Sequence, residues 1–435
     1  MNLLYNKHDR RRNLKNVLSI VLVTNFFLVT YELQLWSNFL SPLTKLITIF
    51  ILSIFGITTF KYIKHIKKTF KYYKKNKLIW LYIIFILYVI LLGPAVLEGR
   101  SFLYEYFIFL IYHYVAIMSI VVLDLYKIKT TMNIFNDLII KYIAVIAILT
   151  IMIYLSIGSG LIDITNYKID YKEYFNASPP TRYQDYYFPF FISIFRADEV
   201  TTLFNFDFYR SFSFSSEPGK AALYASIALI FSYRQKPVFL LILIYYLMLS
   251  SMLSFLALFF IIFITLFRKY KKIILTMTLF FMLSLLFIII NLFISEEAID
   301  FSLIGPFSSH ANNTFLATEV YLNLLEPSLF GTGYTSISYL IPLQVINKFG
   351  YIGGSIFILF YVSLFFHALK FFLNHKGASY HSLFSLFIVF ILIQMVKQGF
   401  IYNYYFILYI LVYLYYMSKL EYIDEEAIKN ENTTN

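Results

Sequence analysis

The feature that most restricts how this chain can fold is its alternation of long apolar runs with short blocks of lysine and arginine. The sharpest block runs from Lys61 to Lys77 and holds eight lysines and His65. An apolar run of about 20 residues, coiled as a helix, spans the roughly 30 Å hydrocarbon core of a bilayer. Composition agrees: 60% of the 435 residues are hydrophobic and 14% are charged, against roughly 25% charged in soluble domains. A net charge of +12 would suggest nucleic acid in a soluble protein. Here the cations sit in turns between apolar runs, where they hold those turns in the cytoplasm. No nucleic-acid partner is expected. The lack of cysteine excludes disulfides, thiolate metal sites, iron–sulfur clusters and a cysteine nucleophile.

The expected fold class is therefore an all-α polytopic integral membrane protein. About twelve transmembrane helices and two large extracytoplasmic loops account for its length. The basic head (Lys7, Arg10, Arg11, Arg12, Lys15) stays cytoplasmic and no cleavable signal peptide is expected. Five spans follow, at about 17–36, 40–60, 78–97, 103–123 and 138–158. They make an N-terminal bundle over 1–158. Residues 159–217 then carry eleven acidic and arginine side chains, Pro179-Pro180 and many aromatics. A loop this long is functional or disordered, and its aromatic content favours a folded cap.

Spans six to nine occupy 218–294. The apolar run 238–267 is the ambiguous part. As one helix it would be ~45 Å long and would place Arg268-Lys269-Tyr270-Lys271-Lys272 outside, against the charge rule. Two short helices meeting at Ser250, Ser251 and Ser254 remove that conflict. At ~20 Å each, they should sit in protein or line a cavity. A second extracytoplasmic loop covers 295–345. The C-terminal spans and an acidic cytoplasmic tail (Glu421, Asp424, Glu425, Glu426) fill 346–435. Both termini are expected in the cytoplasm, and no internal repeat of the transporter kind is apparent.

Chemistry is expected in the loops. Within the spans, Glu105 and His113 are the main ionisable residues, and an intramembrane charge is a functional hypothesis by default. Nucleotide and zinc-protease motifs are absent, so no cofactor or metal is expected and the substrate should arrive already activated. Arg100, Arg182, Arg196 and Arg210 all fall in outer segments, where the charge rule disfavours them. Arginine suits bidentate binding of phosphate oxygens; the alternative is pairing with the loop's own carboxylates. Arg210 lies closest to the next span, where a lipid diphosphate would be held. It belongs to the stretch Tyr209-Arg210-Ser211-Phe212-Ser213-Phe214-Ser215-Ser216-Glu217-Pro218-Gly219. Two residues compete as general base. His310 is the one histidine expected outside. Glu217 is a carboxylate at the membrane edge, although Ser216-Glu217-Pro218 also reads as a helix start.

Three motifs carry a resemblance. Arg210 to Pro218, followed by Ala221 to Tyr224, is one. Leu249-Ser250-Ser251 between short helices is the second. Phe330-Gly331-Thr332-Gly333-Tyr334 with Phe349-Gly350-Tyr351-Ile352-Gly353-Gly354 is the third. In this order the chain resembles the O-antigen/capsular polysaccharide polymerases (Wzy-like), within the wider O-antigen ligase/polymerase superfamily. Two positions depart from the pattern. Lys348 stands where an acidic residue is common, and Ser309-His310-Ala311-Asn312-Asn313 is closer to the His/Asn pattern of the ligases. The resemblance implies a GT-C-like, metal-independent glycosyltransferase of the bacterial cytoplasmic membrane. Its donor and acceptor would be glycans on undecaprenyl diphosphate, with a polysaccharide chain-length regulator as a further partner. Arg210, His310 and Glu217 would be catalytic. Arg196, Arg182, Arg100 and Asn313 would bind substrate. A ligase, or a flippase of lipid-linked oligosaccharide, is the alternative.

Overall fold

The structure is a computed structural model. It describes residues 76–96, parts of 110–120, 128–169, parts of 186–191, 194–203, 206–213, 218–249, 252–279, 341–375, 380–395 and 407–420. Helices among the described residues include, in chain order, α1 (Lys77–Val96), α2 (Ile128–Gly158), α3 (Pro218–Phe231), α4 (Lys236–Met248), α5 (Met252–Leu266), α6 (Ile341–Asn374), α7 (Tyr380–Met395) and α8 (Ile407–Leu420). Four strands lie between α2 and α3: β1 (Lys168–Ile169), β2 (Tyr186–Tyr187), β3 (Ile194–Leu203) and β4 (Phe206–Ser213). The chain divides into two compact units. One comprises Met1–Thr69 and Ile117–Ala257; the other comprises Phe70–Ala116 and Leu258–Asn435.

The first unit is built on α3. Every residue from Ala221 to Ile230 is buried. Ala221, Ala222, Ala225 and Ala228 present almost no side chain, so α2 and α4 can both pack close against it. Its serine hydroxyls are satisfied locally: Ser226 donates to the Leu223 carbonyl at 2.5 Å and Ser232 to that of Leu229 at 3.3 Å. Pro218 opens the helix, where its missing N–H costs nothing. α2 begins ten residues before the expected span. Met132, Phe135, Ile139, Ile143 and Ala147 continue one buried stripe at helical spacing, and Asp137 pairs with Lys141 at 3.0 Å one turn on. At 31 residues α2 is ~46 Å long, so its first turns extend past a bilayer core.

The run 238–267 is broken as expected, with α4 ending at Met248 and α5 starting at Met252. α4 buries Ile242, Tyr245, Tyr246 and Leu249 at i, i+3, i+4 and i+7, while Leu240, Ile244 and Leu247 stand exposed. One face therefore sits in protein and the other is apolar and open.

The second unit packs α6 against α1 and α7. Asn76 caps α1, accepting from the Leu78 N–H at 2.9 Å. α6 is interrupted at Gly350, which adopts φ 71°, ψ −179°. That break releases the Phe349 carbonyl, and the Tyr88 hydroxyl donates to it at 2.7 Å. Gly353 lies so close to the Tyr88 ring that a Cβ there would collide with it. Aromatic contacts fill the α7/α8 core, among them Phe387 with Tyr409 at 4.9 Å and His381 with Tyr416 at 5.3 Å. His367 Nδ1 lies 2.8 Å from the Tyr413 hydroxyl.

Among the described residues, two helices are long and apolar enough to cross a membrane, Met132–Gly158 and Phe349–Asn374. Both are less than half buried. Leu155 on the first is 66% exposed and Leu359 on the second 55%; Leu91 of α1 and Phe259 of α5 exceed 70%. Helices with apolar outer faces suit lipid rather than water. The described residues are thus mainly helical, as expected. The described part of the insert 159–217 departs from an all-α fold, since its strands pair in a four-stranded sheet. The first and second spans lie outside the described residues, as do residues 295–340 of the expected loop 295–345; the loop's last five residues instead open α6.

Candidate functional site

The sheet grows from the end of α2. Past Gly158, Asp163 caps a short 3-10 turn over Ile164–Tyr167, accepting from the Thr165 N–H at 3.0 Å and its hydroxyl at 2.7 Å. Those two bonds hold the Asp163 carboxyl below its ordinary pKa, the side-chain bond contributing most. The turn buries Ile164 against Ile153 of α2 and Tyr187 of β2, with Tyr154 and Ile157 alongside. Strand order is β1-β2-β3-β4, all neighbours antiparallel. β4 also contacts α2 and α3. One end of the sheet is therefore anchored where α2 ends and α3 begins.

Register decides what the sheet can do. Arg196 of β3 pairs with Arg210 of β4, and Tyr186 of β2 pairs with Arg196. Cross-strand partners share a face, so Tyr186, Arg196 and Arg210 form one row. The adjacent row is Tyr187, Phe195 and Ser211. Strand alternation puts it on the opposite face, and Tyr187 there is buried on α2. The two arginine Cα atoms are about 5 Å apart, as in any antiparallel pair. Like charges directly opposite each other destabilise a sheet unless a counter-charge lies near.

The register is irregular on both sides of this pair. It shifts between Ile194 and Phe195, and again between Arg196 and Val200. Ala197, Asp198 and Glu199 stand opposite the single step from Arg210 to Tyr209. Bulges of this kind re-aim side chains and are frequent beside active sites.

Of the residues singled out from sequence, Arg196 and Arg210 are brought together. Glu217, His310, Arg182, Arg100, Asn313 and Glu105 lie outside the described residues. His113 is 4% exposed and stacks on Tyr82 with ring centroids 5.8 Å apart. They border a cavity of about 40 Å3, lined also by Phe357 and Tyr361 and mostly apolar. Among the described residues, no group of three His, Asp or Glu could hold a metal ion.

The strand that carries Arg210 does leave a signal in the sequence. Phe206, Phe208, Phe212 and Phe214 alternate with polar residues at period two, which is the strand signature. Compared with known protein families, curated proteins and solved structures, the chain matches none.

Proposed function

We propose that this protein is a polymerase that joins oligosaccharide repeat units carried on undecaprenyl diphosphate, at the outer face of the bacterial cytoplasmic membrane. About twelve spans, both termini cytoplasmic and the insert 159–217 outside complete this reading. The observation that carries it is the register pair of Arg196 and Arg210 on one face of the sheet, where α2 ends and α3 begins. Two guanidinium groups suit the two phosphates of a lipid diphosphate, and the contact of β4 with the ends of α2 and α3 supports a site close to the helix ends.

The reaction is a metal-independent displacement. An acceptor sugar hydroxyl attacks the anomeric carbon of the donor glycan. The bond from that carbon to the diphosphate oxygen breaks, and its electron pair leaves with undecaprenyl diphosphate. The arginines stabilise the charge that develops there. The hydroxyl proton goes to a general base, for which His310 and Glu217 are the candidates.

The test is incubation of the purified protein with a single lipid-linked repeat unit. A ladder of products supports polymerisation. Transfer of one finished glycan to a different acceptor identifies a ligase. Transbilayer movement of labelled lipid with no change in glycan length identifies a flippase.

A further inference from the structure

We infer that the turn after α5 binds an anionic phospholipid, with an acyl chain on an exposed apolar stripe of α5 and the headgroup phosphate on Lys269 and Lys272. The site belongs to the second unit alone and is independent of the transfer reaction.

Helical spacing makes the stripe. Phe259, Ile262 and Leu266 of α5 fall at i, i+3 and i+7, so they share one face. All three are exposed, Phe259 by 71% and Leu266 by 70%, while Ile261 and Ile264 on the other side are buried. Beyond the turn, residues 271–279 are helical again and expose Ile273 and Met277 at i and i+4. Apolar stripes flanking one turn suit hydrocarbon chains rather than water. From Phe259 to Leu266 the first stripe runs about 10 Å.

The turn between the stripes is cationic, with Arg268, Lys269, Lys271 and Lys272 inside five residues. Two of the four are occupied. Arg268 donates to the Phe372 and His375 carbonyls and to Ser382 Oγ. Lys271 donates to Asn374 Oδ1 at 3.1 Å. These bonds fix the turn against the end of α6 and the start of α7. Lys269 and Lys272 remain exposed, and among the described residues no ion pair holds either. Lys370 of α6, one turn before Asn374, is exposed too and adds charge at this end. No carboxylate occurs between Glu217 and Glu296 or between Glu326 and Glu421, so α5, α6 and α7 supply none. The counter-charge has to come from outside these helices.

A phosphate at the end of an apolar chain is what an anionic phospholipid offers. A nucleic acid or an acidic peptide would leave the stripes uncovered. Lysine suits the position because its apolar stem lies along hydrocarbon while the ammonium reaches the polar layer. Tyr270 is exposed beside Lys269, whose Nζ lies 4.8 Å from its ring centre, and tyrosine is enriched at membrane interfaces.

The chain has no cysteine, so Leu266→Cys gives a single labelling position on the stripe. The full-length Leu266→Cys protein, carrying a bimane fluorophore there, is reconstituted in phosphatidylcholine vesicles. These contain increasing amounts of brominated-chain phosphatidylglycerol or brominated-chain phosphatidylcholine, whose bromines quench the fluorophore on contact. Phosphatidylglycerol is expected to quench at the lower mole fraction. That preference should fall by up to about fivefold for each lysine removed in Lys269→Gln and Lys272→Gln. It should persist in Lys269→Arg and Lys272→Arg, which keep the charge, and in Lys141→Gln on the other unit. Equal quenching by the two lipids, quenching by neither, or a preference unchanged in the double Gln variant overturns the site. A preference that appears only when residues 421–435 are removed assigns the lysines to the acidic tail and overturns it too.

Discussion

At the scale of single residues, Gly350 and Asp163 carry the clearest consequences. Gly350 holds a backbone conformation essentially reserved for glycine. Gly350→Ala should destabilise the second unit by about 1–3 kcal/mol, read as a lower thermal midpoint in detergent. Tyr88→Phe leaves the Phe349 carbonyl without its donor and should cost about 1 kcal/mol in the same measurement. Asp163 acts through pH. Its folded pKa is depressed by the bonds from Thr165. Its stabilising contribution is therefore complete above the unfolded aspartate pKa of about 3.9, and is lost as pH falls through the lower folded value. Asp163→Ala should melt earlier than wild type at neutral pH, and the difference should close in acid below about pH 4. A difference that persists unchanged at pH 2 would contradict this account.

At the scale of elements, a cation joins three of them in the second unit. Arg268, just after α5, donates to the Phe372 and His375 carbonyls at the end of α6 and to Ser382 Oγ of α7 at 3.2 Å. It also lies 4.2 Å from the centre of the Phe372 ring. Lys271 adds a bond to Asn374 Oδ1 at 3.1 Å. Helix ends leave carbonyls unpaired, and a cation there also favours the helix dipole. Lysine has neither the fork nor the flat stacking surface, so Arg268→Lys should fail to restore the thermal midpoint lost in Arg268→Ala.

Elements were legible where one signal dominated. Arg268 to Lys272 forced the break between α4 and α5, and the apolar run 78–97 matched α1. The start of α2 was misplaced because a bilayer-length window ignores the buried stripe from Met132 to Ile139. The sheet is hard to see in the sequence because, in an aromatic-rich membrane chain, Phe206, Phe208 and Phe212 resemble interfacial residues. Only their period of two separates the possibilities.

At the scale of the whole molecule, the helices expose apolar faces suited to lipid, and the first unit carries a sheet at the ends of α2 and α3. Two charges close in space but fourteen positions apart in sequence, Arg196 and Arg210, become neighbours only through strand pairing. No linear reading of the sequence could join them without that register. The residues named as base candidates, His310 and Glu217, rest on the sequence argument alone.

The most direct test of the central claim is polymerisation by purified Arg196→Ala, Arg210→Ala and the double variant, given a lipid-linked repeat unit. Each single variant should shorten or abolish the ladder, by more than tenfold in rate. The double variant should lose little beyond the worse single one, because the pair acts on one diphosphate as a unit. Wild-type chain lengths and rates in the double variant would contradict it.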